Sequence, residues 1–145
     1  MRRVWAGPLS MVVCGLGVAT ATFVQGRVGT TVVVLVVFLA LAGTMSPLAF
    51  PKSVGAVEAQ RRSAVDGRPV VFWRPGCTFC MRLRMRLGRT ARRMYWVDIW
   101  RDAEGAALVR AVNDGNETVP TVLVAGRAYT NPAPAWVREQ VSSAE

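Results

Sequence analysis

The chain has 145 residues, which is room for one small domain and little more, and 52% of them are apolar. Its formal net charge of +9 is compatible with a nucleic-acid surface, but the known nucleic-acid-binding motifs and interleaved aromatic residues are missing. Three cysteines and no histidine cannot close a four-ligand zinc site within one chain, unless carboxylates or a second copy complete it.

The first third of the chain contains two long uncharged runs, residues 4–24 and 28–50. They are 21 and 23 residues long, and about 20 apolar residues are needed to cross a bilayer. Because only Gln25-Gly26-Arg27 separates them, residues 1–50 are predicted to form a two-span transmembrane hairpin, with the second run as the surer span. Small residues along both runs would let the helices approach closely, namely Gly15, Ala19, Gly29 and Gly43.

The charges that flank the two runs predict an orientation. Basic residues lie before the first run and after the second, and a single one lies between them: Arg2 and Arg3, then Lys52, Arg61 and Arg62, and Arg27. The positive-inside rule places both ends in the cytoplasm, as in a multi-pass plasma-membrane protein. Ala19-Thr20-Ala21 resembles a signal-peptidase site. Cleavage there would keep the second span and the same orientation, so the fate of the first span stays open.

The rest of the chain is predicted to be a linker at residues 51–68, with a possible short helix, and a folded domain at residues 69–145. Apolar runs, caps and turn residues predict the elements of this domain. They are a strand at 69–73, a helix at 80–93, a strand at 95–99, a helix at 102–113, strands at 119–124 and 127–129, and a last helix beyond 134. The order β-α-β-α-β-β-α describes an α/β thioredoxin-like fold, here preceded by two transmembrane helices.

Cys77 and Cys80 stand three residues apart, between the first predicted strand and the helix that follows it. A cysteine at the first turn of a helix faces unpaired backbone N–H groups and the positive end of the helix dipole, and both favour the thiolate. The thiolate is the nucleophile in disulfide exchange, and a second thiol one turn away can attack the mixed disulfide. The spacing therefore predicts a redox-active dithiol. A metal or cluster site shared between two copies, or a pair of inert thiols, are the alternatives.

Basic residues surround this dithiol. Arg74 would lower the pKa of Cys77 and meet an anionic or hydroxylated ligand, or would be a solvated surface charge. Six arginines gather in residues 81–94. They are typical of a face beside an anionic leaflet, or of a solvated helix face without a partner.

Four segments resemble a known family. Residues 72–80 (FWRPGCTFC), followed by Arg82-Leu83-Arg84, are similar to the active site of glutaredoxin-like proteins. Residues 97–99, 112–122 and 129–132 resemble more closely the mycoredoxin branch of that family. The resemblance covers about residues 69–141 and leaves the predicted hairpin outside it.

The resemblance implies a role for each matching position. Cys77 would be the nucleophile and Cys80 the resolving thiol, which the family does not always require. Pro120 would be the family's cis-proline, and Val119 before it would offer backbone groups to an extended thiol or peptide. The alternative for Pro120 is an ordinary trans proline that opens an edge strand. The implied substrate-binding residues are Arg74, Phe79, Thr118, Val119, Pro120 and Asn131.

Two departures from the family pattern bear on the ligand. Phe79 replaces the more usual tyrosine, which removes a phenol but keeps the aromatic ring. Glutaredoxins tend to carry a Gly-Gly and acidic segment before the last helix that grips the terminal groups of glutathione. Here residues 130–133 are Thr-Asn-Pro-Ala, as in the mycoredoxin pattern. This favours mycothiol, a cysteine-capped sugar thiol, over glutathione as the co-substrate.

The expected function is that of a membrane-tethered thiol–disulfide oxidoreductase that reduces mixed disulfides with a low-molecular-weight thiol. The expected partners are that thiol, protein mixed disulfides and the lipid bilayer, with no bound cofactor, no metal and no nucleic acid. An iron–sulfur cluster-binding relative and a non-catalytic membrane redox sensor are the alternatives. In the reverse orientation, the same dithiol would form disulfides rather than reduce them.

Overall fold

The structure, a computed structural model, describes residues 2–45 and 50–144. The chain divides into two compact units, Met1–Ala49 and Phe50–Glu145. The first unit contains two helices, α1 (Arg2–Val24) and α2 (Val28–Met45), joined by a turn at Gly26, where φ is +73°.

The two helices of the first unit pack against each other as a hairpin. Gly15 permits a close approach, because a Cβ atom there would lie 2.6 Å from the Cβ of Phe38. The hydroxyls of Thr22 and Thr31 lie 2.8 Å apart near the turn. Two of the small residues expected at this contact are not needed for it, since a Cβ at Gly29 or Gly43 would meet no atom within 4 Å.

One segment among the described residues is long and apolar enough to cross a membrane by length and composition. It is Ala6–Val24 in α1, with 19 residues and a mean hydropathy of 1.7. The apolar part of α2, Val28–Gly43, is shorter, because α2 ends at Met45 and residues 46–49 lie outside the described residues. Because residues 46–49 are not described, the expectation that the second run is the surer span stays a prediction.

The second unit is a four-stranded mixed sheet with helices packed on it. Its elements are α3 (Ala56–Asp66), β1 (Val70–Trp73), α4 (Thr78–Leu87), a 3-10 helix (Gly88–Arg93), β2 (Tyr95–Asp98), α5 (Ala103–Val112), β3 (Thr121–Val124), β4 (Arg127–Thr130) and α6 (Pro134–Ser143). The strand order is β2-β1-β3-β4, with β1 and β2 parallel and the other pairs antiparallel. This is the thioredoxin-like fold that the predicted element order describes.

The central strand β1 leads directly to the cysteine pair. All four of its residues are buried, which explains its continuous apolar sequence. The crossover from β1 to its parallel neighbour β2 runs through α4, as a parallel pair requires. Because β1 pairs with β2 on one edge and with β3 on the other, Cys77 follows the carboxyl end of a strand that is fixed at both edges.

The helix predicted at residues 80–93 is shorter in the structure and begins earlier. It starts at Thr78, ends at Leu87 and gives way to the 3-10 helix at Gly88, whose φ of +56° suits glycine. Its buried positions are Cys80, Leu83 and Leu87, a spacing of three and four residues. Met85 is apolar but exposed, so the alternating apolar pattern in the sequence does not match the buried face of this helix.

The segment predicted as a linker, residues 51–68, contains α3, which packs on the second unit. Ala56 and Ala59 are buried on its inner face. The Asp102 carboxylate accepts hydrogen bonds from the backbone N–H of Ala56 (2.8 Å) and of Gly105 (2.7 Å). One side chain therefore caps α3 and α5 together.

Phe50 also belongs to the second unit. Its ring stacks on Trp73 with centroids 3.8 Å apart and meets Trp96 edge-on at 5.5 Å. The Val54 N–H donates to the Trp96 carbonyl (2.9 Å), which pairs the chain with β2. The second unit thus extends twenty residues before β1, because aromatic packing that sequence patterns do not reveal joins this segment to the sheet.

Candidate active site

The loop between β1 and α4 positions Cys77 as the N-cap of α4. The chain turns at Gly76, where φ is +77°, and the Cys77 N–H approaches the Arg74 carbonyl at 3.4 Å. Cys77 keeps an extended backbone, and its sulfur accepts a hydrogen bond from the Cys80 N–H at 3.1 Å. A sulfur atom in the N-cap position therefore satisfies a helix donor that has no partner within the helix.

The surroundings of Cys77 stabilise its thiolate. A hydrogen bond from the Cys80 thiol lowers the pKa of Cys77 to about 6, with help from the Cys80 N–H, the charge of Arg74 and the Phe79 N–H, and against the effect of burial. In the protonated form, the Cys77 thiol donates to the Val119 carbonyl at 3.4 Å. Cys77 is half-buried, so its sulfur stays accessible to a substrate.

Cys80 has the opposite character. It is fully buried in the first turn of α4. Its hydrogen bond to Cys77 and its burial hold the pKa of the Cys80 thiol well above its usual range. The two thiols thus differ in acidity: one ionises readily and the other keeps its proton.

The loop before β3 forms the other side of the site. The Val119–Pro120 peptide bond is cis, and Val119 directs its carbonyl at Cys77. The Pro120 carbonyl accepts a hydrogen bond from the Asn131 N–H at 2.7 Å. Thr118 is exposed, and its carbonyl accepts a hydrogen bond from the Thr121 hydroxyl at 2.7 Å.

These contacts bring together residues that stand far apart in the sequence. Hydrogen bonds connect Cys77 with Val119 and Pro120 with Asn131, while Arg74 stands half-buried before the cysteine. Thr118 directly precedes Val119 in the chain and so lies beside these residues.

A groove of about 440 Å³ adjoins this site. Phe79, whose side chain is 57% exposed, lies at one wall, and Asn131 lies at the other. Three arginines that sequence reasoning did not assign to the site also line it: Arg82, Arg86 and Arg138. The four-residue spacing of Arg82 and Arg86 puts both on one face of α4, and the sequence shows this directly. Arg138 lies on α6 and joins these two arginines only in the folded structure.

Among residues 2–45 and 50–144, no cluster of three or more His, Cys, Asp or Glu side chains is suited to hold a metal ion. The third cysteine, Cys14, lies on α1 in the other unit. The chemistry that these residues offer is that of a dithiol.

Comparison with known proteins points to the same chemistry. A family model described as glutaredoxin matches residues 70–129, which contain both cysteines and the cis-proline. Two proteins of Mycobacterium tuberculosis, from strains CDC 1551 and H37Rv, are each 41% identical to this chain over 68 residues. Each is provisionally named a glutaredoxin, and the match covers 45% of this chain and 79% of the relative.

Proposed function

This chain belongs to the glutaredoxin family, and from that premise we propose that it is a membrane-tethered enzyme that reduces protein mixed disulfides with mycothiol through Cys77 and Cys80. Family membership makes it a thiol–disulfide oxidoreductase that uses a low-molecular-weight thiol and protein disulfides. The reacting residues, the identity of the thiol and the place in the cell are the proposed part. The observation that carries the proposal is the Cys77 sulfur at the start of α4, with a pKa lowered to about 6.

The first step is an attack by the Cys77 thiolate on the small-thiol sulfur of a protein mixed disulfide. A new disulfide forms between Cys77 and the small thiol, and the protein cysteine leaves as a thiolate that takes a proton from water. Because the pKa of Cys77 lies near 6, most of it is ionised at neutral pH. The protein cysteine that leaves has a higher pKa than Cys77 and is therefore the poorer leaving thiolate. This step also needs the sulfur of the substrate protein (the client) to be positioned well.

The second step can follow two routes. A second small thiol, as its thiolate, attacks the small-thiol sulfur bound to Cys77, which releases a symmetrical small-thiol disulfide and restores the Cys77 thiolate. Alternatively, Cys80 attacks Cys77, loses its proton and releases the small thiol, leaving a Cys77–Cys80 disulfide. The pKa of Cys80 is raised by its hydrogen bond to Cys77 and by burial, and burial still disfavours its thiolate once Cys77 carries the small thiol, so the first route is proposed as the main one.

The remaining predicted residues are proposed to hold the substrate. Val119 offers its carbonyl beside the Cys77 sulfur, where an extended substrate can pair with the backbone. Phe79 supplies an exposed apolar ring, and Asn131 lies at the far wall of the groove. Arg74 supplies the positive charge nearest the sulfur, while Thr118 and Pro120 hold the loop that carries Val119.

Mycothiol is proposed as the small thiol because of the segment before α6. Residues 130–133 are Thr-Asn-Pro-Ala, without the Gly-Gly and acidic residues that grip the terminal groups of glutathione. A sugar thiol needs hydrogen-bonding groups rather than charge partners, and Asn131 can supply them from its exposed position.

The membrane tether is proposed from the hairpin. Its helix α1 is long and apolar enough to span a bilayer, and the flanking basic residues place the dithiol domain on the cytoplasmic side. Residues 1–49 would then form the membrane unit, with residues 50–145 as the catalytic domain. A membrane-impermeant maleimide should spare Cys77 in intact cells, and labelling there would reverse the orientation.

The first test is single-turnover reduction of a mycothiol-conjugated peptide by the full chain in detergent. Fast exchange is expected with the mycothiol conjugate, and slower exchange with the matching glutathione conjugate. Cys77→Ser should abolish both, while Cys80→Ser should retain the first route. Equal loss in both variants would contradict the division of roles. Full activity in Cys77→Ser would refute Cys77 as the nucleophile.

A further inference from the structure

The groove beside Cys77 continues along α4, away from the thiol. It opens at Phe79, two residues beyond the nucleophile, and at Asn131, whose N–H is bound to the carbonyl of Pro120. From there it follows α4 past Arg82 to Arg86, with α6 as the opposite wall. An extended chain that approaches the Cys77 sulfur past Phe79 or Asn131 can therefore lie along this groove.

Positive charge dominates the lining of the groove. Arg82, Arg86 and Arg138 are exposed there, and no acidic side chain lines it among the described residues. The Arg138 guanidinium donates to the backbone carbonyl of Arg86 at 2.6 Å, which fixes one of these charges against α4. Like charges gathered in a groove focus a positive potential at its surface.

Some arginines elsewhere on this unit have a carboxylate partner. Glu58 lies within 2.8 Å of Arg61, and Glu117 lies 2.5 Å from Arg110. In the part of the chain that the structure describes, no carboxylate lies within 4 Å of the three groove arginines. Their charges are therefore open to water, to solvent ions or to an anionic ligand.

We propose that this groove binds an acidic segment of the client polypeptide, adjacent to its mixed disulfide. The inference rests on the proposed function, because it assigns the protein half of the substrate. The proposed small thiol, mycothiol, has no use for three guanidinium groups, whereas carboxylates match their hydrogen-bond geometry.

The length of α4 predicts where the acidic residues lie in the client. Arg86 is nine residues beyond Cys77, or about 13 Å along a helix that rises about 1.5 Å per residue. An extended peptide covers that distance in about four residues, at about 3.3 Å each. Acidic side chains two to four residues from the client cysteine should therefore be favoured, and acidic side chains beyond about eight residues should not.

The test uses the full chain in bilayer discs of neutral phosphatidylcholine. Three peptides carry one cysteine conjugated to the small thiol: one has glutamates at the second to fourth positions after it, one has glutamines there, and one has glutamates at the eighth to tenth positions. At low salt the first peptide should be reduced about 10-fold faster, judged by kcat/KM, and the other two should be equal. At about 0.5 M salt the advantage should disappear, because the screening length falls below 10 Å.

Matched variants separate the groove from overall charge. Arg86→Gln should reduce the advantage of the acidic peptide to about 2-fold and Arg86→Lys should restore most of it, each advantage being the ratio to the glutamine peptide in the same variant. Arg92→Gln removes the same charge from an exposed position outside the groove and should keep the full advantage. An equal loss in Arg92→Gln would overturn the proposal in favour of general attraction.

Further outcomes also decide the proposal. Equal rates for all three peptides in the original chain would overturn it while leaving the proposed function intact. Binding to phosphatidylglycerol vesicles that is lost in Arg86→Gln, without any peptide preference, would assign the groove to lipid headgroups instead. If no conjugate is reduced, the proposed function fails. In that case, fluorescence anisotropy measures the binding of a cysteine-free acidic peptide. Loss of binding in Arg86→Gln supports the proposed groove, and unchanged binding overturns it.

Discussion

At the scale of single residues, the reactivity of Cys77 depends on another thiol one helical turn away. The Cys80 thiol donates a hydrogen bond to the Cys77 sulfur, and its backbone N–H donates a second one. Together they stabilise the thiolate more than burial destabilises it, which lowers the pKa of Cys77 to about 6 from an ordinary 9.0. In the proposed mechanism, Cys80 therefore contributes to the first step even if it never forms a disulfide.

This arrangement predicts that Cys80→Ala raises the pKa of Cys77. The thiol donor is lost while the backbone donor remains, so the new pKa should lie between 6 and 9. Exchange in the original chain should fall about tenfold per unit below pH 6 and level off above it, because the thiolate is the reacting form. In Cys80→Ala the same plateau should begin at higher pH.

The measurement is the thiolate absorbance near 240 nm as a function of pH, in a Cys14→Ser background so that one thiol fewer contributes. Cys80→Ser, whose hydroxyl can still donate, serves as the control and should shift the pKa less. An unchanged pKa in Cys80→Ala would assign the stabilisation to the helix terminus and Arg74 instead.

At the scale of elements, the Asp102 carboxylate links two helices: α3, which precedes the first strand, and α5, which follows β2 in the chain. Asp102 binds the first N–H of α3 with one oxygen and an N–H in the first turn of α5 with the other. Gly105 lies under this carboxylate, and a Cβ there would come within 2.9 Å of a Val97 methyl group. The register of α5 on β2 is therefore set by a close contact as well as by the cap.

Replacement of Asp102 should weaken both helices at once. Asp102→Ala removes two caps and should lower the free energy of unfolding by about 2 kcal/mol, at about 1 kcal/mol per cap. Asp102→Asn keeps one acceptor oxygen, so it should lose only about half as much. Urea unfolding of the full chain in detergent, followed by tryptophan fluorescence, measures the difference. Equal losses in the two variants would show that one cap carries the whole effect.

At the scale of the whole molecule, the second unit begins earlier than the family match. The matched region starts at residue 70, whereas Phe50 already stacks on Trp73, the last residue of β1. Residues 50–69 therefore support the strand from which the Cys77 loop departs. A soluble fragment intended to retain the active site should begin at residue 50, not at residue 69, where the folded domain was predicted to begin.

The Phe50 contact predicts a large stability effect. Phe50 is 8% exposed, and Phe50→Ala should lower the free energy of unfolding by about 3 kcal/mol, because a buried aromatic ring is replaced by a cavity. Phe79→Ala removes the same ring from a position 57% exposed and should cost less than about 0.5 kcal/mol. Thermal unfolding of the full chain in detergent compares them, and similar melting temperatures for the two variants would contradict a structural role for Phe50.

Local patterns in the sequence were sufficient for the strands and for the position of the cysteine pair. Apolar runs predicted β1, β2 and β3, because a buried strand needs continuous apolar residues, and the turn after β3 predicted the short β4. The interval between Cys77 and Cys80, placed after such a strand, indicated the start of α4, where the Cys80 thiol and N–H lower the pKa of Cys77. Both depend on neighbours within one or two turns, which is the range that a sequence displays directly.

Other features were decided only when distant segments met. Residues 51–68 were predicted as a linker with a possible short helix. Their packing was not visible in the sequence, because the contacts of Phe50 with Trp73 and of Asp102 with Ala56 join positions at least 23 residues apart. The same holds for the groove, because Arg138 reaches Arg86 through the packing of α6 on α4. The sequence by itself determined the fold class and the dithiol, through local propensity and spacing. The tertiary structure alone decided the domain boundary, the shared helix cap and the charged groove, because each is a contact whose energy depends on three-dimensional proximity.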